Sequence, residues 1–253
     1  MKRTISASLL ALSATLATTG TAQAQDVSWS IGTDYVTEYV FRGVSLAEGA
    51  FQPYAEASVG NFTAGIWAST GVGAGSELYG DEIDFYAGYS VPLDGPLSLD
   101  LGVTYYHYPQ GGALFETEDG SAGTYEVSAA VGFGDVMLAP SIAAYYDFTL
   151  ENFTLEGAIG HSVGFGEKNG LDLGLTVGAV EADGGGDYQW AHGSVALSHS
   201  LTDDASVYVG ANYAINSEDN TLDYERIAVG ADEVAVLSGD DKLWFAVGIS
   251  AGF

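Results

Sequence analysis

A two-residue hydrophobic period runs through nearly the whole chain, and no other feature of the sequence constrains its fold as much. Leu171, Leu173, Leu175, Val177 and Ala179 alternate with Asp172, Gly174, Thr176 and Gly178. Leu97, Leu99, Leu101, Val103 and Tyr105 alternate with Ser98, Asp100, Gly102 and Thr104. The contrast recurs over 62–69, 125–133, 153–165, 207–215 and 243–253. Successive side chains of a strand point to opposite faces, so each stretch reads as a strand with one apolar and one polar face. Helices are essentially absent from the expectation.

Twelve strands are predicted, at about 28–44, 51–59, 62–70, 82–92, 97–108, 124–133, 136–147, 152–164, 171–181, 189–200, 205–215 and 243–253. Most have the length a tilted strand needs to cross a bilayer. Connections alternate between short and long. Gly60-Asn61, Leu93 to Pro96, Gly134-Asp135, Phe165 to Gly170 and Leu201 to Asp204 are short. Ser45 to Ala50, Gly71 to Asp81, Pro109 to Gly123, Ala182 to Tyr188 and Asn216 to Lys242 are long, and Phe148 to Glu151 is the weak case. Tight turns at one end and long loops at the other are expected of an outer-membrane barrel. The fold class is therefore all-β, an antiparallel transmembrane β-barrel of twelve strands. Ten or fourteen are the alternatives, because Pro140 disturbs the seventh segment and 28–44 can be split in two.

A soluble β-sandwich also alternates, but it does not need aromatic residues at both ends of its apolar face. Here Trp29, Tyr39, Phe41, Phe62, Phe85, Tyr89, Tyr105, Tyr125, Phe133, Phe153, Phe165, Phe245 and Phe253 share parity with that face and cluster near strand ends, as interfacial girdles do. Phe253 closes the chain, preceded at alternate positions by Ala251, Ile249, Val247 and Phe245. Such an ending is what outer-membrane barrels present to the barrel assembly machinery.

Residues 1–24 read as a secretory signal peptide. Lys2 and Arg3 precede an apolar stretch from Ile5 to about Ala17, and Ala22-Gln23-Ala24 supplies small residues for cleavage. The barrel then occupies 25–253, in a chain exported to the bacterial outer membrane. Outer-membrane lipid and lipopolysaccharide are its expected surroundings.

Thirty-four acidic residues face six basic ones, for a net charge of -28. Nucleic acid is excluded as a partner, because phosphate binding needs clustered Lys and Arg. With no cysteine in the chain, disulfides, thiolate metal sites and a cysteine nucleophile are also excluded.

Thr33-Asp34-Tyr35, then Tyr39-Val40-Phe41-Arg42-Gly43-Val44-Ser45, then Ala64-Gly65-Ile66-Trp67-Ala68-Ser69 resembles the start of the TorF-type porins, a family of proteobacterial outer-membrane proteins. Its members open with an "SDYxFRGxS" block and continue with a "GxWxS" strand. This chain departs from the block by carrying Val36-Thr37-Glu38 ahead of the Tyr-Val-Phe-Arg-Gly run, and Leu46 stands where Gln is often found. The resemblance implies a signal-bearing barrel with a pore function; it implies no catalytic residue and no known substrate.

If the apolar positions face lipid, their neighbours face the lumen. Asp34, Glu38, Arg42, Glu56, Asp84, Asp100, Glu126, Glu156 and Asp172 are the expected pore-lining residues. Small Gly, Ser and Thr between them leave room for water. Carboxylates in a narrow tube favour cations, so the expected function is a passive diffusion channel for small solutes or ions with cation preference. Arg42 is the only basic side chain in any predicted strand. It either forms a constriction with Glu38 and Glu56 or pins the first two strands through a salt bridge.

Two other functional classes compete with the channel. A barrel-borne lipid-modifying enzyme needs a nucleophile within reach of a His. By parity His107, His161 and His199 face lipid and His192 faces in. Ser162, Ser198 and Ser200 are strand neighbours of His161 and His199, and therefore point the other way. An enzyme is not expected, nor is a cofactor. The remaining alternative is a closed barrel that binds or supports through acidic loops: Asp81-Glu82, Glu116 with Glu118-Asp119, Asp183 with Asp187, Glu218-Asp219 and Asp240-Asp241. None matches an ordered calcium-loop spacing. The loop from Asn216 to Lys242 carries two short apolar runs, which either extend a strand pair outward or fold into the pore.

Overall fold

A computed structural model describes residues 27–73, 80–117, 121–134, 136–229 and 232–253. The signal-peptide segment 1–24 and the loop acids Glu118 and Asp119 lie outside these residues.

Twelve strands close into one antiparallel barrel. They are β1 (Val27–Val36), β4 (Ala50–Val59), β5 (Phe62–Gly71), β6 (Glu82–Val91), β7 (Leu97–His107), β8 (Thr124–Phe133), β9 (Ser141–Asp147), β10 (Asn152–Phe165), β11 (Asn169–Glu181), β12 (Tyr188–Ser200), β13 (Ala205–Asn216) and β16 (Asp241–Gly252). Consecutive barrel strands are neighbours throughout, and β1 closes the ring by pairing with both β4 and β16. Closure satisfies both edges of the sheet, which an open sheet leaves as unpaired N–H and C=O groups.

Two hairpins stand apart from the ring. One is β2 (Tyr39–Phe41) with β3 (Val44–Ala47), and the other is β14 (Asp223–Val229) with β15 (Asp232–Ser238). The predicted first strand, 28–44, is thus corrected: the barrel strand stops at Val36 and the remainder turns back as a hairpin. The seventh strand begins only at Ser141, because Pro140 has no N–H to give a ladder, and the turn before it is longer than the predicted Gly134-Asp135. The one helical element among the described residues is a single 3-10 turn at Pro109–Gly111. Among the described residues no helix is long and apolar enough to cross a membrane.

The core of a water-soluble protein is inverted here. Leu173, Leu175 and Val177 on β11 and Phe245, Val247 and Ile249 on β16 are 45–53 % exposed on the outer surface. Buried residues of the ring include carboxylates, Ser69, Thr124 and Asn216. An apolar exterior around a polar interior is the arrangement of a barrel surrounded by hydrocarbon.

Candidate functional site

The ends of the barrel differ. At the end carrying both termini, inward positions are small: Ser30, Ser58, Thr63, Ser90, Ser98, Ser206 and Ser250, with Ser58 bonded to Thr63 at 2.9 Å and Ser206 to Ser250 at 3.1 Å. Toward the long-loop end the interior carries aromatic residues, against the expectation of a wall of small side chains. Tyr54, Trp67, Tyr86, Tyr106, Tyr145, Trp190, Tyr208 and Trp244 all project inward. Several lie flat on glycines of the next strand. A Cβ at Gly178 would sit 2.0 Å from the Trp190 ring, and one at Gly65 would sit 2.4 Å from the Tyr86 ring. Bare backbone at these positions makes room for the large side chain beside it.

Into this half of the barrel folds the β2–β3 hairpin. Its turn is Arg42-Gly43, with φ of 48° and 77°, the two left-handed positions of a tight hairpin turn. Phe41 pairs with Val44 across it. At the tip, Arg42 donates to Glu126 of β8 through both terminal nitrogens, at 2.6 and 2.9 Å. Its guanidinium also lies 4.3 Å from the centre of the Tyr145 ring on β9. The Gly43 carbonyl accepts from the Asn216 amide of β13 at 2.8 Å. A Cβ on Gly43 would come within 2.5 Å of Trp190 on β12. One two-residue turn thus touches β8, β9, β12 and β13, and the hairpin spans the lumen.

Its base is fixed as firmly. Tyr39 donates to Glu82 at 2.9 Å and packs on Trp67 with ring centroids 5.5 Å apart. Glu38 is fully buried, accepting from Ser45 Oγ and lying 3.5 Å from Lys242 Nζ. Lys242 also pairs with Asp223 of the last loop. Above the hairpin, Ser45 N–H donates to the Thr221 carbonyl at 2.8 Å, and Leu222 is wholly buried. The last loop thus closes over the inward hairpin at its base, while its apolar runs pair with each other as β14 and β15. A cavity of about 100 Å³ remains beneath the hairpin, bordered by Asp34, Glu38, Gln52, His192, Tyr208 and Trp244.

Of the nine expected pore residues, Asp34, Glu56, Asp84, Asp100, Glu126, Glu156 and Asp172 occupy inward positions on barrel strands. Asp34 accepts from Tyr208, Glu56 from Tyr86 at 3.1 Å, and Asp100 from Ser90 at 2.6 Å. Asp172 accepts from Ser162 at 2.5 Å and Ser198 at 3.3 Å. Glu38 and Arg42 reach the interior from the hairpin instead. The expected joining of Arg42 with Glu38 and Glu56 is corrected, since its partner is Glu126, and it does not pin the first two barrel strands.

Two inward acids were missed. Glu82, counted with the loop acids although it starts the predicted 82–92 strand, opens β6 and accepts from both Tyr39 and Tyr108 at 2.9 Å. Asp147 ends β9 facing in, opposite Glu126. Lys242, also assigned to a loop, is an inward cation on β16. Among the histidines, His192 is inward as expected, bonded to Asn212 at 3.2 Å and stacked on Trp244. His161 and His199 are exposed, with His199 bonded to Asn169 at 2.8 Å. His107 is not open to lipid but buried, with its ring stacked on Tyr105.

A bacterial protein family of unknown function, Gcw_chp, matches residues 19–251. The chain belongs to this family. Comparison of the sequence with curated proteins gives no significant match. Among solved structures, this Gcw_chp member is similar to the NanC porin at a TM-score of 0.53 and 11 % identity, covering 88 % of this chain and 98 % of that one. The KdgM porin in complex with disordered oligogalacturonate gives 0.54 and 12 %, over 89 % and 99 %. The COG4313 outer membrane channel from Pseudomonas putida F1 gives 0.50 and 8 %, over 92 % and 97 %. At such identities the likeness is one of fold: the Gcw_chp barrel has the architecture of outer-membrane porins and channels.

Proposed function

We propose that this protein is a passive diffusion channel of the bacterial outer membrane for small solutes or ions, with a cation-preferring lumen narrowed by the β2–β3 hairpin. The observation that carries this reading is the hairpin itself. It places Arg42 across the interior on Glu126, while Glu82, Asp84, Asp147, Glu156 and Asp34 leave that level of the barrel with more carboxylates than cations. Acidic constrictions draw cations and repel anions. The apolar exterior supports residence in a bilayer, and the leader pattern over 1–24, Lys2 and Arg3 ahead of an apolar stretch, supports export. The TorF-type resemblance supports a pore role, and Phe253 is the proposed handle for barrel assembly. KdgM is described in complex with an oligogalacturonate, an anionic polymer; the acidic interior here favours neutral or cationic solutes instead.

The test is single-channel conductance of the refolded chain in a planar bilayer under a KCl gradient. Discrete steps with a cation-sided reversal potential are expected. Anion-sided steps would refute the charge assignment. A folded, heat-modifiable barrel without steps would instead establish a closed barrel acting through its acidic loops, a reading favoured by how fully the hairpin and its aromatic neighbours pack the long-loop half.

A further inference from the structure

Among the described residues, two buried side-chain oxygens lack a hydrogen-bond partner, Thr33 Oγ1 and Asp84 Oδ1. Asp84 projects inward from the middle of the constriction, opposite Trp67 on β5 and Tyr106 on β7, and is only 5 % exposed. The tyrosine and arginine donors around it are directed elsewhere. Tyr39 and Tyr108 donate to Glu82, Tyr106 donates to Glu126 at 3.0 Å, and both Arg42 nitrogens are spent on Glu126. The charges it feels most are those of Glu82 and Glu126, both negative. A desolvated carboxylate in that setting is strongly unfavourable unless a proton or a cation joins it.

The surroundings also define which cation fits. Among the described residues no three His, Asp or Glu side chains converge closely enough to hold a metal ion. Divalent ions require several strong oxygen ligands and dehydrate reluctantly. One unshared carboxylate, with tyrosine oxygens whose protons point away, offers a single negative charge and neutral acceptors. That set matches a singly charged, weakly hydrated ion.

We propose that Asp84 is a binding subsite for a monovalent cation within the hairpin constriction. The inference deepens the channel reading and rests on it. Its test does not use conductance: the full refolded chain in detergent is titrated with thallous nitrate, a potassium-like quencher, and tryptophan fluorescence is read, Trp67 being the cross-strand neighbour of Asp84. A saturable quenching component is expected, competed by potassium nitrate, lost in Asp84→Asn and retained in Asp100→Asn, whose carboxylate already has Ser90. Asp84→Glu, which keeps the charge, should retain saturation at a shifted concentration if the amide variant proves unable to fold. Purely collisional quenching in the wild type, or saturation unchanged in Asp84→Asn, would overturn the subsite. Saturable quenching in a barrel that passes no current would uphold the subsite and sink the channel.

Discussion

Arg42 and Glu126 are 84 positions apart in sequence and are joined by two hydrogen bonds across the barrel interior. Arg42 sits at the tip of a hairpin rooted between β1 and β4, and Glu126 belongs to β8, four strands round the ring from β4. A bidentate Arg–carboxylate pair is directional as well as strong, so it fixes where the tip lies.

Removing one member should therefore release the tip and leave a buried charge alone. Arg42→Ala is expected to lower stability by about 3 kcal/mol, the usual cost of breaking a buried pair from one side. Denaturant unfolding followed by heat-modifiable mobility gives the number. Arg42→Ala combined with Glu126→Gln should cost less than the sum of the two single changes; strict additivity would show that the pair carries no coupling.

Gly43 tests the hairpin through its backbone. Its φ of 77° and the 2.5 Å approach of a Cβ to Trp190 both exclude a side chain. Gly43→Ala should dislodge the tip and expose the Arg42–Gly43 bond to trypsin. Mass spectrometry should find a fragment ending at Arg42 in the variant and little of it in the wild type. Equal cleavage in both would show that the hairpin is not held inside.

A glycine beneath an aromatic ring and one with open space above it make a matched pair. Gly178→Ala places a methyl inside the Trp190 ring and should reduce the yield of folded barrel. Gly157→Ala meets nothing closer than 3.9 Å and should fold as the wild type does. Similar yields for both would remove the ring-on-glycine packing as a determinant.

Burial holds the Glu38 carboxyl above the ordinary Glu range, an effect opposed by Ser45 and Lys242. A carboxyl raised in the folded state favours folding at low pH, and that contribution fades as pH rises from the ordinary Glu value through the folded one. Lys242→Met removes the opposing cation and should enlarge the effect. Tryptic release at Arg42 in this variant should grow with rising pH and subside on acidification, and a flat profile would contradict it.

Leu175 faces outward near the middle of β11 and is 45 % exposed. Leu175→Arg should cost roughly 2–4 kcal/mol in a lipid bilayer, as charges do at the midplane of such barrels. Thr176→Asn, one residue on and facing in, should be near neutral. Refolding into vesicles under urea distinguishes the two, and equal behaviour would count against a lipid-facing exterior.

The ring was legible because a half-polar strand writes its geometry directly into sequence. Ten of the twelve predicted segments match barrel strands within two residues at each end; the first overruns Val36 and the seventh starts late, at Ser141. The hairpin was not legible, because Tyr35, Tyr39 and Phe41 set against Asp34, Glu38 and Arg42 continue the alternation across the point where the barrel strand ends. The available signal was Arg42-Gly43 between two short apolar runs, the composition of a two-residue turn. Pairings such as Arg42 with Glu126, or Trp190 over Gly178, depend on register and ring closure, which no local pattern encodes. The motif text of residues 39–69 gains meaning only afterwards: Tyr39, Arg42, Gly43, Ser45 and Trp67 all build or receive the hairpin.

The position of the hairpin near the start of the chain sets an order of events. Its docking points on β8, β9, β12 and β13 and the lid formed by Thr221 and Leu222 exist only once the later part of the chain has been laid down. Until β8 stands opposite, the guanidinium of Arg42 has water as its partner, and until β16 is in place the Glu38 carboxyl lacks Lys242. The segment made among the first is therefore housed among the last, and a finished seam is the condition for a seated hairpin.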